Sequence, residues 1–191
     1  MPAIIIRSSI WLYLLCPVIG FFVGGTAGAF KFTILGVSLL INVIAHELGH
    51  WAMAAQCGDK HGRITIGATG GVTSYSGVFM SERQRACIVM AGPLMNILIG
   101  IIAVLLMGTA SMLAQVSFCL AAFNLLPIQK LDGGQLLHIW MGKYFDYPEK
   151  AVEVISVLTG MALVAYLYFN LAPLTALVGI YLVGYLFVNK R

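Results

Sequence analysis

Hydrophobic residues run through this chain in long blocks, and polar residues collect in the short gaps between them. The blocks cover roughly residues 9–30, 33–57, 86–108, 111–128, 151–169 and 172–189. Each approaches the ~20 residues an α-helix needs to cross the hydrocarbon core of a bilayer. Backbone N–H and C=O groups find no water there, so helices are the expected form. The pattern predicts an all-α polytopic membrane protein with six transmembrane helices. The first block is read as a retained span. Arg7 precedes it and Ala27-Gly28-Ala29 resembles a cleavage site, but the block is longer than a leader's apolar core and contains Pro17.

Two gaps are long enough to hold structure of their own. The segment GRITIGATGGVTSYSG (62–77) is rich in Gly, Thr and β-branched residues and reads as a short hairpin or an extended loop. The segment 129–150 is mixed, with a glycine pair, Gly133-Gly134, that loosens a helix end. Basic residues set the orientation. Arg7, Lys60, Arg63, Arg83, Arg85, Lys130, Lys143, Lys150, Lys190 and Arg191 fall on one side and only Lys31 on the other. Both termini and the β segment are therefore expected in the cytoplasm, in the cell membrane of a prokaryote.

Composition agrees. The 191 residues are 60% hydrophobic and 9% charged, against about 25% charged in a soluble domain. We expect one membrane-embedded domain over 1–191, with the lipid bilayer as its surroundings. The net charge of +4 is what cytoplasmic loops of a membrane protein carry, so no nucleic-acid partner is implied. Cys16, Cys57, Cys87 and Cys119 stand singly and read as small buried apolar residues. Oligomeric state has no signature.

Against this background VIAHELGHW (43–51) stands out. His46 and His50 are one helical turn apart and project from the same face, so both imidazoles can hold one ion. Glu47 is placed to take a proton from an attacking water without ligating the metal. Ionisable groups inside a span are costly and mark function. The motif lies about 13 Å from the helix end near Cys57, at 1.5 Å per residue.

A catalytic zinc takes three protein ligands and leaves one position open. A third histidine in the HExxHxxGxxH pattern is excluded, because Met53 and Gln56 stand at its Gly and His positions. Glu82 sits in the basic segment SERQR, and Glu149 and Glu153 border a loop. His61, Asp59 and Asp146 lie in loops where a solvated role is expected. Asp132 differs: Pro127 and the glycine pair let its segment fold back toward the site. It is the expected third ligand. Asn42 and Asn96, also within spans, read as helix-packing residues. His138, Trp140 and Tyr144 read as interfacial.

Together, HELGH on the second span, AGPLMN (91–96) on the third and NLLPIQKLDGG (124–134) after the fourth resemble the site-2 protease family of intramembrane zinc metalloproteases. The resemblance covers a catalytic core of about 33–140 and is to a compact member, without PDZ or CBS segments. It implies one Zn2+ per chain on His46, His50 and Asp132, with Glu47 as the catalytic base. It further implies Asn124 at the substrate cleft, and GATGGVTS as a β segment that holds substrate through Gly70, Gly71 and Val72. Lys130 departs from the family, which often has an apolar residue or Pro there.

The implied partner is a transmembrane protein substrate that unwinds before attack, adding as a strand to segment 62–77. On that reading proline at Val72 or Thr73 is damaging, while Thr73→Val matters little. A metal transporter needs a polar route from both sides, and the outer halves of the spans offer only Lys31. An inactive zinc-binding scaffold is disfavoured by the intact Glu47.

Overall fold

The computed structural model describes residues 3–6, 15–59, 63–67, 70–74 and 80–170. Among them are five helices and three short strands. The chain divides into two compact units, Met1–Phe123 and Asn124–Arg191.

The first unit is organised by α1 (Cys16–Gln56), a run of 41 residues whose regular geometry breaks at Gly24 and Gly25. Gly25 has φ +61° and ψ −147°, a conformation that glycine tolerates and a side chain does not. The bend brings Gly20 against Gly28. A Cβ on Gly20 would stand 2.5 Å from the Gly28 carbonyl oxygen. The hydrophobic pattern predicts a break near Lys31, between blocks 9–30 and 33–57. The structure instead carries Lys31 inside the helix and bends at the glycine pair, seven residues earlier at Gly24. Pro17 sits in the first turn, where a missing N–H costs nothing. At the other end Gly58, with φ +105°, lets the Asp59 N–H return to the Ala54 carbonyl at 3.0 Å.

Three strands follow from the chain's first residues and from segment 62–77. Strand β1 (Ala3–Ile6) runs parallel to β2 (Arg63–Gly67), which runs antiparallel to β3 (Gly70–Ser74). The order is β1-β2-β3, so the expected hairpin is present and gains a third strand. Ile64 of β2 is buried against Val43 of α1, with Ile44, Leu48, Trp51 and Leu120 packed around the pair. This small core seats the sheet on the helix turn that carries His46 and His50.

Helix α2 (Glu82–Met107) begins in a reciprocal cap: Gln84 N–H donates to Ser81 Oγ at 3.3 Å, and Ser81 N–H to Gln84 Oε1 at 2.9 Å. Glu82 belongs to this exposed first turn, where a carboxylate suits the helix dipole. The second helix packs along the first. Both are long and apolar enough to cross a membrane. Their outward faces are apolar, with Phe22 85% and Leu105 79% exposed, while glycine, serine and asparagine face inward. That is inside-out for water and ordinary for lipid. Helix α3 (Met112–Asn124) is shorter.

In the second unit, α4 (Asp132–Met141) packs against α5 (Pro148–Asn170). The expected loosening at Gly133-Gly134 is not what these glycines do. A Cβ on either would strike the carbonyls of Leu125 and Ile128 respectively, so they allow a tight chain reversal at the start of a helix. The Ser156 hydroxyl of α5 secures that reversal, accepting from the Gln129 N–H at 2.9 Å. The predicted sixth span, 172–189, lies outside the described residues. None of the cysteines is paired, but none is buried either. Cys87 and Cys119 are exposed on the helix surface, correcting the expectation of burial.

Candidate metal centre

The centre is built on one turn of α1 against one turn of α2. His46 and His50 point into α2 with their Nε2 atoms 3.0 Å apart. Two imidazole nitrogens on one tetrahedral zinc stand about 3.3 Å apart, given Zn–N distances near 2.0–2.1 Å. The rings are buried and meet edge to face, centroids 4.6 Å apart.

Ring orientation is set from α2. The Ile88 carbonyl lies 2.7 Å from His50 Nδ1. A carbonyl only accepts, so Nδ1 carries the proton and Nε2 presents its lone pair, the tautomer a metal ligand needs. Pro93, four residues after Val89, lacks the N–H that would bond to the Val89 carbonyl and so loosens this turn. His46 Nδ1 is 3.3 Å from Asn96 Nδ2, while Asn96 Oδ1 is buried with no partner among the described residues. Turning the amide over places Oδ1 opposite Nδ1, where it accepts a proton and frees Nε2 for metal. The orphaned oxygen and the two converging Nε2 atoms fit zinc.

Space for the rings comes from missing side chains. A Cβ on Gly92 would collide with His50 Nε2 and stand 2.6 Å from its Cε1 and 2.8 Å from His46 Cε1. A Cβ on Gly49 would stand 2.6 Å from the Ala91 carbonyl oxygen. The glycine of HELGH brings α1 against α2, and the glycine of AGPLMN leaves room for the imidazoles.

Glu47, one residue on, is buried and reaches the sheet. There Thr73 Oγ1 of β3 lies 2.7 Å from Glu47 Oε2 and 3.1 Å from the Glu47 carbonyl oxygen. The Thr73 hydroxyl thus donates to the carboxylate, a contact on which the Thr73→Val expectation did not count. The bond joins a strand to a helix 26 residues away, a link without any local pattern in the sequence. The contact of Asn96 with His46, 50 residues away, likewise has no local pattern. Asn42 does stay within its own helix, donating to the Ser38 carbonyl at 2.9 Å.

The remaining sequence candidates are placed as follows. Asp132 is buried in the first turn of α4, and Asn124 is the last residue of α3, half-buried. Gly70, Gly71 and Val72 lie on β3, with Val72 64% exposed. Among the described residues no strand pairs with the outer edge of β3. Asp59, expected in solvent, is buried at the end of α1. Glu149 is exposed and lies 3.8 Å from His138, consistent with a surface role for both.

A buried pair of convergent histidines with an adjacent glutamate, on a long apolar helix, is the donor pattern of the HExxH zinc peptidases. The chain belongs to peptidase family M50, whose model matches residues 34–112 and 106–167. It is similar to zinc metalloprotease MJ0392 of Methanocaldococcus jannaschii, 28% identical over 148 residues that cover 71% of this chain and 42% of the relative. It is also similar to putative zinc metalloprotease Rip3 of Mycobacterium tuberculosis, 31% identical over 138 residues, 65% of this chain and 33% of the relative. The chain thus spans between a third and about two-fifths of these relatives' length. The solved site-2 protease from Methanocaldococcus jannaschii shares its fold, with a TM-score of 0.66 at 23% identity over 96% of this chain and 86% of that one.

Proposed function

We propose that the chain is an intramembrane zinc metalloprotease that hydrolyses a peptide bond within or near a transmembrane segment of a membrane-protein substrate. One observation carries the reading: two buried Nε2 atoms 3.0 Å apart beside a buried glutamate, on a helix with an apolar outward face. His46, His50 and Asp132 hold one zinc per chain, a three-ligand set with one position open. Glu47 is the base, and residues 1–191 form one membrane domain.

Zinc bound there supplies Lewis acidity toward the scissile carbonyl and toward water. Glu47 takes the proton of the attacking water as its oxygen bonds to the carbonyl carbon. It passes that proton to the amide nitrogen as the C–N bond breaks. The substrate helix must first unwind, and the groups it frees re-pair on the outer edge of β3, the strand that carries Gly70, Gly71 and Val72. Asn124 orients the unwound peptide. Basic-residue placement supports cytoplasmic termini and a cytoplasmic sheet. Reporters fused after Arg191 and between residues 58 and 83 should then read the same side, and opposite readings would overturn that topology.

The test is co-expression with candidate single-span membrane proteins. Wild type should release a cytoplasmic fragment that Glu47→Gln does not. Equal release by both would contradict the reading.

A further inference from the structure

Thr73 occupies two positions at once, and this follows from strand geometry. Gly67 pairs with Gly70 across two intervening residues, and the ladder continues through Ile66↔Gly71, Thr65↔Val72 and Ile64↔Thr73. A pair that closes a two-residue connection exchanges both backbone bonds, and bonded and non-bonded pairs then alternate. Gly67–Gly70 and Thr65–Val72 are the bonded pairs. Gly71 and Thr73 therefore turn their N–H and C=O groups outward, to the edge that no described strand occupies.

The side chain of Thr73 faces the other way. Ile64, its cross-strand neighbour, is buried against α1, and residues directly opposite share a face of the sheet. Thr73 Oγ1 accordingly reaches Glu47 Oε2 at 2.7 Å, and the same oxygen is 3.1 Å from the Glu47 carbonyl. The hydroxyl has a single proton and two lone pairs. It can donate to either acceptor and can itself accept a proton held on Glu47. Thr73 thus presents backbone groups to the open edge of β3 and a hydrogen bond to Glu47.

We propose that Thr73 is a positioning residue: its hydroxyl fixes the Glu47 carboxylate, so that a peptide pairing with the Thr73 backbone is docked on the same residue that aims the base. This rests on the proteolytic reading above and adds to it the link between the strand edge and Glu47. Backbone pairing contributes to affinity, while the hydroxyl contributes to turnover.

The experiment compares wild type, Thr73→Val and Thr73→Ser in detergent or liposomes with one cleavable single-span substrate, alongside Glu47→Gln. Valine keeps the shape and strand preference of threonine but removes the hydroxyl. It should lower kcat about 10- to 100-fold, the range for losing a hydrogen bond to a charged group, with KM nearly unchanged. Serine should restore most of the rate. Zinc content should stay near one per chain in both. Difference infrared spectra against Glu47→Gln isolate the Glu47 carboxyl band. That band should shift in Thr73→Val and hold its position in Thr73→Ser. An unchanged kcat and an unmoved band in Thr73→Val would overturn the inference while leaving the protease standing, and so would equal losses in the two variants. A wild type that cleaves no better than Glu47→Gln would remove the proteolytic reading and this inference with it.

Discussion

The two sides of one helical turn in α1 are built in opposite ways. Toward α2, His46 and His50 meet a close-packed wall: the Ile88 carbonyl at 2.7 Å, the Asn96 amide at 3.3 Å and the bare Cα of Gly92. Toward β3, Glu47 meets the Thr73 hydroxyl on a five-residue strand whose far edge is open among the described residues. Two packed helices give the metal side a fixed wall that admits no extra atom. On the base side, the rotatable Thr73 O–H sits on a strand with an open edge among the described residues. Metal geometry tolerates little adjustment, whereas a base must hold and release a proton within one cycle. Each wall suits the chemistry it faces.

The metal wall gives the sharpest way to break this contrast. Gly92→Ala places a methyl group on His50 Nε2, so purified variant protein should contain almost no zinc and show no cleavage. Near-stoichiometric zinc in that variant would mean the helices yield easily. Glu47→Gln should lose at least about 100-fold in turnover, the lower end expected for removing a general base, yet keep one zinc. The contrast predicts that separation of metal from rate, and parallel loss of both would erase it.

Smaller effects test the supports. Asn96→Ala removes the oxygen that can accept from His46 Nδ1, and zinc affinity measured by chelator competition should weaken about 10- to 100-fold. Asn96→Asp, which keeps an acceptor, should weaken less. Equal affinity across the three proteins would return Asn96 to a packing role. The mildest change is on the strand edge. Gly71→Pro removes one outward N–H and should raise KM about 2- to 10-fold, the range for one neutral hydrogen bond. Zinc content should be unaffected, and an unmoved KM would argue against strand addition.

What could be read in advance divides along the same line. HELGH was legible because its geometry is local: four residues on a helix make one turn. The hairpin at 63–74 was legible from glycine and β-branched content. Strand β1 was not, since its partner Arg63 lies 60 positions beyond Ala3 and four apolar residues carry no direction. The hydrophobic blocks put the break near Lys31, whereas the bend falls at the glycine pair 24–25, with Gly25 at positive φ. Helix α4 was masked by Gly133 and Gly134, whose low helix propensity is overridden by the need to pass the Leu125 and Ile128 carbonyls. Asn96 and Thr73 joined the site only through bonds spanning 50 and 26 residues.

The central claim is that His46 and His50 converge on a zinc that Glu47 does not ligate. The most direct measurement is zinc content in the purified wild type, the His46→Ala/His50→Ala double variant and Glu47→Gln, all prepared identically. The account predicts close to one zinc per chain in wild type and Glu47→Gln, and almost none in the double variant. Full zinc retention without the two histidines would contradict it.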